Sequence, residues 1–226
     1  MFIEQPARFL RWLYPHAVWR MDPSVKAVYL TFDDGPIPEA TPFVLDTLAR
    51  YGIKATFFVV GDNVRKYPDL FRRILAEGHR IGNHTFNHIG GFRWLSKRYL
   101  ANTKKAMEWM IDEVKLMNTD DDHQTSIINR QFTSPLFRPP HGWMRPLQYR
   151  IIRKKGYRII MWDLVTRDYS KNLTAAEVLE NVKRYARNGS IITFHDSLRS
   201  IKKLEVMLVP ALEWLIAQGY EFRLFD

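Results

Sequence analysis

From about residue 25 onward, short apolar runs alternate with longer stretches in which apolar residues recur every three or four positions. The runs Val25–Phe32, Lys54–Val60, His79–Gly82, Leu136–Arg138, Tyr157–Trp162, Ser190–Phe194 and Tyr220–Phe225 read as strands. The stretches Glu39–Tyr51, Pro68–Glu77, Ser96–Met117, Pro146–Lys155, Ala175–Arg187 and Ser200–Gln218 read as amphipathic helices. Gly52, Gly78, Gly156, Gly189 and Gly219 stand where those helices should end, and Asn172 or Thr174 can cap the helix that starts at Ala175. Strands separated by helices need crossover connections, so the pattern predicts an α/β fold on parallel strands. Seven strands fit either an open doubly wound sheet or a barrel one unit short of eight, and the pattern alone does not choose.

Two regions depart from the alternation. Residues 118–135 are polar, include Asp120, Asp121, Asp122 and His123, and read as a surface loop inserted before a strand; the acidic run lacks the spacing of a calcium loop. Residues 1–24 read as an extension packed on a single domain spanning 25–226. In it, Phe9, Leu10, Trp12 and Leu13 beside Arg8, Arg11 and Arg20 also have the composition of a short membrane-surface helix, which Pro15 cuts off. No apolar run reaches the roughly 18 residues of a membrane span. Arg8 and Arg11 interrupt the apolar stretch that a signal peptide needs. The expectation is a soluble cytoplasmic protein, with peripheral membrane contact left open.

Composition narrows the chemistry. Hydrophobic residues make up 46% and aromatics 14%, enough for a large core. The absence of cysteine removes disulfides, thiolate metal sites and a cysteine nucleophile, so any metal must be held by His and carboxylates. The net charge of +10 favours anionic partners, among them a membrane surface or an acidic polymer. The cluster Arg145, Arg150, Arg153, Lys154, Lys155 and Arg158 is an exposed helix face or a docking surface for such a partner. No Gly-rich phosphate loop, no Gly-x-Ser-x-Gly elbow, no nucleic-acid module and no sign of an obligate protein partner is present.

Ionisable residues gather at the C-terminal ends of five expected strands, the face on which parallel α/β folds carry their active sites. Asp33 and Asp34 would repel one another without a cation beside them. His84 and His88, at i and i+4, share a face if they lie on a helical turn, and with a strand-end Asp they supply three ligands and leave positions for water or substrate. Arg138, stiffened by Pro139 and Pro140, can be aimed at a carboxylate. His195 follows an apolar strand, and Asp163 and Asp168 are candidates to hold its tautomer.

In order, Thr31-Phe32-Asp33-Asp34-Gly35-Pro36, His84-Thr85-Phe86-Asn87-His88, Arg138-Pro139-Pro140-His141-Gly142, Asp168-Tyr169 and Thr193-Phe194-His195 resemble the five motifs of the polysaccharide deacetylase family, with its NodB homology domain (carbohydrate esterase family 4). The resemblance implies a distorted (β/α)7 TIM-like barrel and a metal-dependent hydrolase that removes N-acetyl groups from an amino-sugar glycan of the N-acetylglucosamine type. It also implies Asp34, His84 and His88 as ligands of one divalent metal, usually zinc, with cobalt or nickel as alternatives. Asp33 would be the base that deprotonates the attacking water, with Arg138 as its partner. The backbone amide of His141 would help stabilise the oxyanion, and His195 would be the acid, tuned by Asp168.

Tyr169 stands where that family commonly has Trp, and Thr193 where it commonly has Leu, so the acyl pocket is expected to be more polar. Those two positions keep open an amidase of the same fold acting on a small non-carbohydrate amide. A non-catalytic carbohydrate-binding barrel is the further alternative.

Overall fold

The computed structural model describes residues 4–117 and 131–225. The elements run α1 (Arg8–Leu13), β1 (Ala27–Asp33), α2 (Thr41–Arg50), β2 (Thr56–Val59), α3 (Gly61–Lys66), α4 (Pro68–Ala76), β3 (Arg80–Asn83), α5 (Ser96–Leu116), β4 (Leu136–Phe137), α6 (Pro146–Lys154), β5 (Arg158–Ile159), β6 (Leu164–Val165), α7 (Ala175–Tyr185), β7 (Ser190–His195), α8 (Ile201–Ala217) and β8 (Glu221–Phe222). Every pairing among the named strands is parallel, in the order β5-β4-β3-β2-β1-β7-β6, with β8 added to β1. The curled seven-strand path is the distorted barrel.

The strand period sorts side chains onto two faces. Val28, Leu30 and Phe32 of β1 join Ile192 and Phe194 of β7 in the main core with α2, α4, α7 and α8. The alternate residues Ala27 and Tyr29 pack with Phe58, Leu136, Ile160, Ile191 and Phe225 as a separate apolar plug. Above that plug the same face of β1 continues as Thr31 and Asp33, both buried. The barrel interior therefore turns from apolar to polar toward the C-terminal ends of its strands.

Residues 4–24 lie along the gap between the edge strands. The Val18 amide bonds to the Ile159 carbonyl at 2.8 Å and the Met161 amide to the Val18 carbonyl at 2.8 Å, while the Met21 amide reaches Gly189 at 2.8 Å. Farther out, the Val165 amide bonds to the Glu4 carbonyl at 2.8 Å, which ties the segment to β6.

The structure differs from the sequence reading at four places. The expected strand Tyr157–Trp162 forms only as Arg158–Ile159, and β6 was not expected; a two-residue strand of ladder is below what periodicity can detect. The short helix α3 was also missed, its sequence Gly-Asp-Asn-Val-Arg-Lys being too short to show a period. Residues 131–135 are not all surface loop: Gln131 is buried and caps the β3 edge, accepting from the Ile81 amide at 3.1 Å and donating to the His79 carbonyl at 3.2 Å. The rest of the expected loop, including Asp120–Asp122 and His123, lies outside the described residues. Lastly, His84–His88 is irregular chain and not a helical turn. All five helix-ending glycines have positive φ, and Thr174 supplies the cap of α7, accepting from the Glu177 amide at 3.2 Å.

Candidate active site

Sheet register assembles the site. Asp33 at the end of β1 pairs with His195 at the end of β7, Val59 with Asn83, and Asn83 with Phe137. The residues that leave these rungs, Asp34, His84 and Arg138, therefore start side by side. The His84 amide bonds to the Val59 carbonyl at 3.0 Å and the Arg138 amide to the Asn83 carbonyl at 3.1 Å, continuing the ladder one step past the strands. Asp33, Asp34, His84, His88, Arg138, His141, Tyr169, Thr193 and His195 all line one cleft of about 490 Å³.

Asp33 and Arg138 form a buried ion pair, Nη1 to Oδ1 at 2.6 Å. All three guanidinium nitrogens are engaged: Nη1 also donates to Thr31 Oγ1 at 2.8 Å, Nη2 to the Met161 carbonyl at 2.7 Å and Nε to the Ile160 carbonyl at 3.2 Å, with the Phe58 ring centroid 4.1 Å from Cζ. Burial pushes the Asp33 carboxyl upward, and the charges of Arg138 and His195 oppose it. A base made more basic by burial yet kept ionised by a fixed cation suits proton abstraction.

Asp34 has a left-handed backbone, φ 83°, and its carbonyl is held by Asn63 Nδ2 at 2.8 Å. Its Oδ1 lies 3.1 Å from His88 Nε2 and 3.7 Å from His84 Nε2. The His84 contact is too long for a hydrogen bond, and Oδ1 is a buried acceptor with no hydrogen-bond partner among the described residues. Zinc bonds of about 2.0–2.1 Å at tetrahedral angles separate ligand atoms by about 3.4 Å, and the two spacings bracket that value. The three ligand atoms lie within 4.8 Å of one another. His84 Nδ1 donates to the Arg138 carbonyl at 2.7 Å, which fixes the tautomer with Nε2 facing Asp34. Burial would raise the Asp34 carboxyl, but the surrounding imidazoles outweigh it and hold the group ionised; burial drives His84 well down, toward the neutral ligand form. The residues fit a divalent metal.

His195 donates from Nδ1 to Asp168 Oδ1 at 2.8 Å, while its amide donates to Asp168 Oδ2 at 2.7 Å. Burial alone would depress this imidazole; the Asp168 carboxylate reverses that and takes it up to about 9. Tyr169 packs edge-on against the ring at 4.8 Å. Thr193 lines the cleft, and its Oγ1 is 3.1 Å from Thr31 Oγ1, so its hydroxyl has a partner within the protein. His141 is left-handed, φ 59°, and its ring meets the His88 ring edge-on, the centroids 4.8 Å apart.

Asp163 does not reach the site. It is fully buried below it, bonded to Arg187 at 2.6 and 2.8 Å, Ser190 at 2.9 Å and Arg11 at 3.2 Å, and it ties the edge strand to the N-terminal segment. Two further residues shape the site from behind: Asp196, read from sequence only as an ionisable strand-end neighbour of His195, and Asn102, which sequence reading missed. Asp196 accepts from the Gly35 amide at 3.1 Å and from Thr41 Oγ1 at 2.6 Å, and a Cβ at position 35 would fall 1.9 Å from its carboxylate, so only glycine fits there. Asn102, on α5, accepts from the Phe86 amide at 2.8 Å and the Asn87 amide at 3.0 Å and so shapes the histidine loop. A single asparagine on a helix carries no signal of that kind in sequence. Nor did anything foreshadow the cleft wall supplied by Gln5, Phe9 and Leu10.

A carboxylate–guanidinium pair, three side chains able to hold a metal ion and a carboxylate-tuned imidazole converge on one cleft, an arrangement suited to metal-assisted acid–base hydrolysis. Residues 20–160 match the family described as polysaccharide deacetylase, and the chain belongs to that family. It is 33% identical over 210 residues to a peptidoglycan-N-acetylglucosamine deacetylase of Bacillus cereus, covering 92% of this chain and 90% of that protein. It is also 33% identical over 201 residues to the peptidoglycan-N-acetylglucosamine deacetylase PgdA of Listeria monocytogenes, of which it spans 38%. The fold superposes on PdaA of Bacillus subtilis, a family 4 carbohydrate esterase, with a TM-score of 0.77 and 27% identity over 97% of this chain and 89% of that one.

Proposed function

We propose that the chain hydrolyses the N-acetyl amide of an amino-sugar glycan, with N-acetylglucosamine units of the peptidoglycan type as the substrate class. The observation that carries this reading is the convergence of His84 and His88 on the donorless Asp34 Oδ1, flanked by the Asp33–Arg138 and His195–Asp168 pairs. The relatives' substrates point to the sugar.

Asp34, His84 and His88 would hold the divalent metal, zinc by ligand type, with cobalt or nickel accepted by the same set. Such an ion supplies Lewis-acid polarisation of the acyl carbonyl and acidifies the attacking water. Asp33 takes the proton of that water, and Arg138 keeps its carboxylate ionised and aimed. The His141 amide donates toward the oxyanion that develops on the acyl oxygen, an interaction worth about 3–4 kcal/mol for one well-placed donor. An amide nitrogen leaves only when protonated, and His195 Nε2 gives it that proton, Nδ1 being committed to Asp168. Products are acetate and the free amino sugar.

Acetate release from N-acetylglucosamine oligomers and peptidoglycan fragments, with zinc or cobalt and with chelator, tests the reading. Metal-dependent release that Asp33→Asn abolishes is expected; none from any member of the panel by the folded, metal-loaded protein would overturn it.

A further inference from the structure

The net charge of +10 is confined to part of the chain. Residues 5–21, 89–107 and 131–162 contain fifteen of the 34 Lys and Arg and none of the 24 Asp and Glu; the remaining 19 basic residues share the rest of the chain with all 24 acidic ones. The fold brings those three stretches together. One apolar cluster, built around Leu10, Tyr14, Tyr99, Met144, Tyr149 and Ile152, draws all its members from them. Polar bonds stitch them as well: Tyr14 Oη donates to the Met144 carbonyl at 2.7 Å, the His16 amide donates to Tyr149 Oη at 3.0 Å, and Gln148 Nε2 donates to the Gly91 carbonyl at 2.9 Å. Arg11 and Arg138 of this lobe pair with buried Asp163 and Asp33, and Lys104 pairs with Glu108. Arg8, Arg93, Lys97, Arg98, Arg150 and Arg153 are exposed.

The same lobe leaves large apolar side chains in water. Trp12 is 83% exposed and Leu95 74%, and Phe9, Phe92, Trp143 and Leu147 are exposed with them. They form one surface. Phe9 lies 6.1 Å from Trp143 and Trp143 5.7 Å from Phe92, ring to ring. Trp12 follows Phe9 by one turn of α1. Gln148, next to Leu147, bonds to the carbonyls of Gly91 and Trp94 at 2.9 and 3.3 Å, which ties the start of α6 to the chain segment that carries Leu95. Phe9 and Trp143 also line the cleft. Exposed apolar surface of this extent marks a binding face.

We propose that this lobe docks the protein on an anionic lipid bilayer, with the mouth of the cleft at headgroup level. Tryptophan and phenylalanine beside arginine and lysine are the side chains that settle at a membrane–water interface, and anionic headgroups supply the counter-charge that an acid-free lobe lacks. An acidic polysaccharide would satisfy the basic residues but not Leu95 and Leu147, whose branched side chains offer no flat face for a sugar ring. No helix among the described residues is long and apolar enough to cross a membrane, so the contact is superficial. This proposal concerns the surface and stands apart from the hydrolase reading.

Co-sedimentation of the full chain with vesicles tests it, using phosphatidylcholine alone and phosphatidylcholine mixed equally with phosphatidylglycerol. Binding to the mixed vesicles, weakened by salt, is expected. The variant Trp12→Ser/Leu95→Ser/Leu147→Ser, altered only at exposed positions, should lose binding by about tenfold or more while keeping its thermal unfolding profile and its turnover of a soluble substrate. Arg8→Glu/Lys97→Glu/Arg150→Glu should lose it as well. Failure of the unaltered chain to sediment with the mixed vesicles overturns the proposal. So does a serine variant that binds vesicles and heparin as well as the unaltered chain does, which would make the lobe a site for acidic polymers.

Discussion

Replacing Arg138 by Met removes the only cation bonded to Asp33 among the described residues and leaves that carboxylate in a buried site. Breaking a buried pair from one side costs about 3–5 kcal/mol, and the Ile160 and Met161 carbonyls lose a donor at the same time. The informative quantity is the effect of Asp33→Asn in each background. With Arg138 present, the substitution strands a buried guanidinium and should destabilise. With Met at 138, it replaces an uncompensated carboxylate by a neutral amide and should stabilise. The change of sign corresponds to a coupling of about 2–3 kcal/mol, measured by urea unfolding of the four proteins in chelator at neutral pH. A proton offers Asp33 the other escape. Its folded value is already raised, so the folded state binds more protons than the unfolded one above the ordinary carboxylate range, and stability falls as pH rises toward that folded value. Arg138→Met should steepen this fall. Equal effects of Asp33→Asn in both backgrounds would refute the reasoning.

Other expectations follow from single groups. His84→Ala and His88→Ala should lose bound metal and turnover together, whereas Asp33→Asn should retain metal, measured by elemental analysis, and lose about 10²–10⁴ in kcat. Asp168→Asn removes the carboxylate that holds His195 near 9, so the alkaline limb of the kcat/KM profile, where His195 loses its proton, should move to lower pH by more than one unit. His79 is fully buried, its Nδ1 accepts from the Ala55 amide at 3.1 Å, and burial with the charges of Lys54 and Arg73 depresses it to about 3. The unfolded chain therefore binds a proton that the folded one refuses. Stability should drop by about 3 kcal/mol more between pH 7 and pH 4 than in His79→Gln, read from urea unfolding at both values. Thr174→Ala should cost about 1 kcal/mol of stability by removing the α7 cap.

The two strands at the centre of the site were legible because each is an apolar run ending in an ionisable residue. Ala27–Asp33 and Ser190–His195 are the longest, and their ends meet on one rung. The helices were legible through their glycine stops. What sequence could not supply was long-range pairing. By residue type and position alone Asp163 and Asp168 look equivalent as partners for His195; β6 runs between them, leaving Asp163 at its start beneath the site and carrying Asp168 past its end against the imidazole. The histidine spacing suggested a helical turn because i and i+4 meet there; the fold achieves the same meeting with positive φ at Thr85 and His88, held from outside by Asn102. Thr193 reads from sequence as a polar intrusion into the acyl pocket, and nothing local shows that its hydroxyl has a partner in Thr31, 162 positions away. The N-terminal wall of the cleft has no local signature, since it depends on an edge-strand gap that exists only after the barrel has curled.

In the mechanism proposed above, one metal held by Asp34, His84 and His88 serves an amide hydrolysis that Asp33 initiates. Chelator-stripped protein titrated with zinc, with acetate and free amine followed together from an N-acetylglucosamine oligomer, tests it most directly. Release should rise with zinc to one equivalent and then level off, one amine for each acetate, and an Asp33→Asn protein should take up the same zinc and release acetate at least about a hundredfold more slowly. Undiminished release from the stripped protein, or full zinc uptake by the unaltered chain with no acetate, would contradict it.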